Sequence, residues 1–274
     1  MWRFGLALVT LAMAGPSARA ELMFKISSTG NAQADAAFAR AGEFWSSVFT
    51  DDVTVNINAA FSSLGPGILG SAGSTRGTVS FADFRTALQA DATSAADAMF
   101  SSSLPTGETF SLYINETDEA GGAGFNEAYV DNDGGANNRT VRMTTANAKA
   151  LGLLAADNPL NDVNITFSTN FTWDFDQTDG IDDGHFDFVG VAIHEIGHAL
   201  GFTSGVDVLD GNDNGNFNDN AFTWVNPADF ARFSADSEAA GADIDWTADA
   251  RDKYYSIDGG LTAGGGLVGG LSHW

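Results

Sequence analysis

The chain contains four histidines. Two of them, His194 and His198, stand four residues apart in the stretch HEIGHALGF, with Glu195 directly after the first. An α-helix brings positions i and i+4 onto one face, so both imidazoles can meet one metal ion. Glu195 is turned about 100° around the axis from His194, where it can reach a water on that ion. HExxH on a helix is the pattern of a hydrolytic zinc site. The metal lowers the pKa of its water towards about 7, and the carboxylate takes the proton and later passes it to the leaving amine. The same spacing also arises in helices that bind nothing. Three features favour the metal here. The flanks Val191, Ile193, Ile196, Ala199 and Leu200 are apolar, which predicts a buried helix whose polar groups need partners. A strand-like alternation precedes it. Gly201 follows where the helix should stop, able to take left-handed dihedrals. A catalytic zinc takes three protein ligands. The residues alone leave the third open among Asp207, Asp210, His185 and His273, with Asp207 close enough behind the helix to swing back and His185 expected on the surface.

HEIGHALGF resembles the metzincin-type zinc proteases. Within them it is most similar to the leishmanolysin-like branch and to a set of bacterial exported metalloproteases that often carry a PEP-CTERM sorting tail. In the larger group a third histidine comes three residues after the glycine, and here that position is Ser204. In the leishmanolysin-like branch an inserted segment follows the glycine and the third ligand comes later, in a short HW context. This sequence ends GGLSHW, so the resemblance assigns the third zinc position to His273, 75 residues after His198. It also implies a zincin-like domain with a twisted sheet and a zinc-binding helix, Glu195 as general base, and a protein or peptide substrate held extended along the edge of the strand upstream of the helix. The family's methionine turn lies downstream of the third ligand. Methionines stand here at 1, 13, 23, 99 and 143, so none follows His198, which points to a truncated sequence or a degenerate site. The main expectation is an exported zinc metalloendopeptidase. The alternative is an inactive or truncated metzincin-like surface or matrix binding module.

The elements that must position this motif are legible upstream. Residues 31–49 repeat Ala37, Phe38, Ala41, Phe44, Trp45 and Val48 at helical spacing. Val53, Val55 and Ile57 alternate with polar residues, as in a half-buried strand. GPGILGSAGSTRG reads as a loop. Ser80 caps a helix carrying Phe81, Phe84 and Leu88. Strands are expected at 109–115, 139–143 and 163–173, a turn at 131–138, and a helix opening near Thr144 or Thr145. The order predicts a mixed α/β layout of the α+β class. Residues 205–222 are rich in Gly, Asn and Asp, and 259–270 read as a flexible glycine loop. The organisation expected is therefore residues 1–20 as a signal peptide, 21–204 as the N-terminal and zinc-helix part of the catalytic domain, and 205–274 as an insertion and C-terminal part.

The signal peptide rests on Arg3, the apolar run Phe4–Ala14 and the cleavage site Ala18-Arg19-Ala20, and it predicts a secreted protein with no membrane span after cleavage. The 274 residues carry a net charge of −24 and no cysteine. That surface repels nucleic acid and anionic lipid, and the chain has no disulfide, catalytic thiol or thiolate zinc site. Asp210, Asn212, Asn214 and Gly215 match the first half of a calcium loop, but Ala221 stands where an EF-hand needs glutamate. A looser Ca2+ site and a solvated, turn-rich loop are the two readings left there.

Overall fold

The computed structural model describes residues 21–117, 127–212 and 217–267. In chain order its strands and α-helices are β1 (Met23–Ile26), α1 (Ala32–Val48), β2 (Thr54–Ser62), β3 (Gly70–Ser74), β4 (Arg76–Ser80), α2 (Phe81–Asp91), α3 (Ala95–Ser103), β5 (Leu112–Ile114), β6 (Tyr129–Asp131), β7 (Thr140–Thr144), α4 (Thr145–Ala150), β8 (Val163–Ser168), β9 (Trp173–Asp174), β10 (Phe186–Asp187), α5 (Phe188–Ala199), β11 (Arg232–Phe233), α6 (Ala235–Ala240), β12 (Ile244–Trp246), β13 (Lys253–Tyr255) and β14 (Gly265–Leu267). This is an α+β chain, as the element order predicted.

Helix starts follow the sequence's cap chemistry. Asn31 Oδ1 accepts the N–H groups of Gln33 (3.0 Å) and Ala34 (3.3 Å), satisfying donors that the first turn of α1 leaves unpaired. Ser80 does the same for α2 and Thr144 for α4.

The largest sheet has the order β1-β2-β8-β3. β1, β2 and β8 are parallel, and β3 closes one side antiparallel to β8. Three segments depart from their expected form. Residues 70–74, read as loop, are strand β3. Residues 163–173, read as one strand, are β8, a turn, and then β9, which pairs with β10. β14 likewise gives the glycine-rich 259–270 stretch a paired strand, antiparallel to β13.

α1 and α5 pack together against this sheet. Their shared core takes Phe38, Val55, Ile57, Ile165, Phe167, Phe188, Ala192 and Ile196, all buried. Phe167 and Phe188 lie 4.2 Å apart between ring centroids, and Phe38 meets Phe167 edge-on at 5.3 Å, a geometry aromatic pairs favour. A polar tie crosses the helix pair, where Trp45 Nε1–H donates to the Ile193 carbonyl (3.0 Å).

A second core lies beside the first. Phe81, Phe84 and Phe110 surround Phe230, with centroid distances of 5.3, 5.5 and 4.9 Å. Val206, Leu209, Val225, Ile244 and Trp246 join them. β12 adds to β5 in parallel, Ile244 opposite Leu112. The segment after Gly205 thus shares its core with residues 79–151, so the boundary drawn at 204/205 separates stretches of chain and not cores. No helix among the described residues is long and apolar enough to cross a membrane.

Candidate metal centre

α5 carries the motif. Phe188, Val189, Ala192, Ile196 and Ala199 are buried on one side, and His194 faces solvent. The Nε2 atoms of His194 and His198 stand 3.0 Å apart. Two nitrogens on a tetrahedral zinc, each at about 2.0–2.1 Å, are roughly 3.3 Å apart, so the donor pair fits such an ion. Although His194 is exposed, its partial desolvation, and then the neighbouring His198, hold its imidazole below the ordinary pKa. This favours the neutral ring that ligates metals.

The end of α5 sets the tautomer of His198. Gly201 has φ +98°, and the N–H groups of Gly201 and Phe202 donate back to the carbonyls of His198 (3.3 Å) and Gly197 (3.0 Å), a Schellman ending. The reversal turns the Phe202 carbonyl towards His198, whose Nδ1–H donates to it (2.9 Å). A carbonyl only accepts, so a neutral His198 keeps its proton on Nδ1 and presents the Nε2 lone pair to the metal. A Cβ at Gly201 would overlap Asn147 Oδ1, and the Asn147 amide donates to the Leu200 carbonyl (2.7 Å). Gly201→Ala is therefore expected to cost about 1–3 kcal/mol through backbone strain and to break this tie. Thermal melting checks it, and an unchanged Tm would contradict it.

Glu195 is 5 % exposed, and burial pushes its carboxyl up to about 7, within the range suited to proton transfer near neutral pH. β3 covers it. A Cβ at Gly70 would lie 2.6 Å from Glu195 Oε1 and 3.0 Å from Val191 Cγ1. Further along, Ser74 Oγ–H donates to the His198 carbonyl (3.2 Å). The glycine is thus the space that lets strand and helix approach.

β3 is also an edge. The Ser168 N–H donates to the Leu69 carbonyl and the Thr75 N–H to the Asp162 carbonyl. In an antiparallel ladder this alternation aims the backbone groups of Gly70, Ala72 and Ser74 away from β8. Among the described residues no other strand pairs with them. The upstream strand expected to hold substrate, β8, has β2 and β3 on its two sides, so the edge of this sheet that lies against Glu195 is that of β3.

The remaining ligand expectations fare differently. His273 lies outside the described residues. His185 Nδ1 lies 3.2 Å from the Asp183 carbonyl, in a bend between β9 and β10. Asp207 and Asp210 sit in 3-10 turns after the helix. Among the described residues no three His, Asp or Glu side chains gather where they could hold a metal ion, so none of these three joins the histidine pair. Asn212, expected in a calcium loop, donates its amide to the carbonyls of Glu116 (2.7 Å) and Phe217 (2.9 Å). Residues 213–216 of that loop lie outside the described residues.

The sequence reading missed Gly70 and Asp229. Gly70 has no local signal beyond its small neighbours. The stretch Asn226-Pro227-Ala228-Asp229 does read as a capping box with proline at the first position, and the structure forms it. The bonds that Asp229 also makes to Ser204 and Trp246 are long-range and carry no sequence signal. No family model matches this chain, and no curated protein and no solved structure is significantly similar to it.

Proposed function

We propose that this chain is an exported zinc-dependent metalloendopeptidase with a zincin-like catalytic domain. The observation that carries the reading is the convergence of the His194 and His198 Nε2 atoms beside a buried Glu195 under an open strand edge. His194 and His198 hold the ion, and the resemblance supplies His273 as the third ligand. When bound, the zinc supplies a Lewis acid that acidifies water and polarises the scissile carbonyl.

The protein's own groups do the rest. A peptide lies extended along β3, bonding to the outward backbone groups of Gly70, Ala72 and Ser74. Glu195 takes a proton from the attacking water and delivers it to the leaving amine. Phe202 keeps the His198 proton on Nδ1, so that no proton competes for Nε2.

Casein hydrolysis tests this. Cleavage that stops with a zinc chelator and returns with added zinc is the expected result, and cleavage indifferent to the chelator would overturn it. Gly70→Ala adds a sharper check. Its Cβ presses Glu195 out of line, and a displacement of about 1 Å costs on the order of 10²-fold in rate. Zinc content is expected to stay unchanged in this variant, and full activity would contradict the role given to β3.

A further inference from the structure

The second core reaches the histidine pair through one carboxylate. Asp229 is fully buried and accepts four hydrogen bonds. Its Oδ1 takes the Ser204 hydroxyl (2.6 Å). Its Oδ2 takes the backbone N–H of Gly205 (3.0 Å) and of Asn226 (2.8 Å), and the Trp246 indole N–H (3.1 Å). These donors come from the segment after α5, from the N-cap of the 3-10 turn Pro227–Ala231 in which Asp229 itself stands, and from β12. Gly205 is wedged in place, since a Cβ there would overlap the Trp224 carbonyl. Arg76 braces the same segment by donating to Thr203 Oγ1 (3.2 Å) and to Asn226 Oδ1 (3.1 Å). A buried network with every member satisfied is rigid, because moving one member leaves the others unpaired out of reach of water. Two residues before Ser204 stands Phe202, whose carbonyl orients His198.

We infer that Asp229 is a positioning residue of the metal site: by anchoring Ser204 and Gly205 it fixes the Phe202 carbonyl that holds the His198 proton on Nδ1 and turns Nε2 to the metal. Its effect on zinc rests on the metal-site reading above. Its effect on the imidazole does not.

The bond pattern distinguishes variants by geometry and not by charge. Asp229→Asn keeps an oxygen for the three N–H donors, and its amide can donate to Ser204 Oγ. Asp229→Ala removes every link. Ser204→Ala removes one of the two links to the loop, keeps the Gly205 N–H bond and leaves Asp229 three donors, so it tests the idea even if Asp229→Ala does not fold.

Two measurements on the full chain decide it. In metal-free protein at pH 8, 15N spectra of the histidines are expected to show His198 protonated on Nδ1 in the wild type and in Asp229→Asn, and a mixture of tautomers in Ser204→Ala and Asp229→Ala. In competition titrations with a chromophoric chelator, the zinc dissociation constant is expected to rise roughly 10–100-fold in the two alanine variants and to stay near wild type in Asp229→Asn. Folded alanine variants with the wild-type tautomer and wild-type zinc affinity would overturn the inference. A wild-type chain that binds no zinc would overturn the metal-site reading instead, and the tautomer comparison would still decide the role of Asp229.

Discussion

Glu195→Gln is expected to keep its zinc and to lose peptide hydrolysis by about 10²–10⁴-fold, the usual contribution of a positioned general base. The substitution preserves the shape of the side chain under β3 and leaves His194 and His198 untouched. It removes the carboxylate that is buried against the open strand edge beside the histidine motif. Glutamine cannot take the proton from the attacking water, so binding of the ion and turnover separate. Zinc analysis of the variant beside its casein cleavage checks this. Zinc retained with full proteolysis would remove Glu195 from the mechanism. Zinc lost from the variant would mean that the carboxylate serves the fold of the site and not the proton.

The largest effect on stability is expected at Lys149. This ammonium is 2 % exposed and donates to Asp162 Oδ2 (2.6 Å) and to the Thr54 carbonyl (2.8 Å). Asp162, 1 % exposed, also accepts the Asn56 N–H (2.7 Å) and the Thr145 hydroxyl (2.6 Å), and so joins α4 to β2 at the start of β8. Removing one partner of a buried pair leaves an uncompensated charge, at a cost of about 3–5 kcal/mol. Lys149→Met is expected to lose that much in urea denaturation. The double variant Lys149→Met with Asp162→Asn is expected to recover part of it, because the stranded charge is gone. A single variant within about 1 kcal/mol of wild type, the ordinary scale of point mutations, would show that water reaches the pair.

What the sequence made legible was whatever is local. Ser80 and Thr144 announce their helices because a cap is a contact between near neighbours. Val53, Val55 and Ile57 alternate because one face of β2 is core. Gly201 marks the end of α5 because the turn there needs positive φ. β3 was illegible for a physical reason. Its residues are Gly, Ser and Ala, without an alternating pattern, because the strand must come close to Glu195 and carries no side chain large enough to show a period. Glycine signalled close approach there, and the same letters ordinarily signal a loop. The second core was hidden differently. Val206, Phe222, Phe230 and Trp246 come from short 3-10 turns and three-residue strands, too brief for any periodicity to emerge. Within the site, the histidines and Glu195 were visible from their spacing, whereas Asp229 became visible only once Ser204 and Trp246 were folded against it.

A metzincin-like binding module without activity would share the fold and the histidine pair, and its Glu195→Gln variant would change nothing. The proposed hydrolysis requires that His194 and His198 hold one zinc ion. Metal analysis of the purified full chain beside His198→Ala tests it most directly. One zinc per chain in the wild type, lost or much weakened in the variant, is the result this account predicts. A wild-type chain without zinc, or a variant that holds zinc as tightly as the wild type, would contradict it.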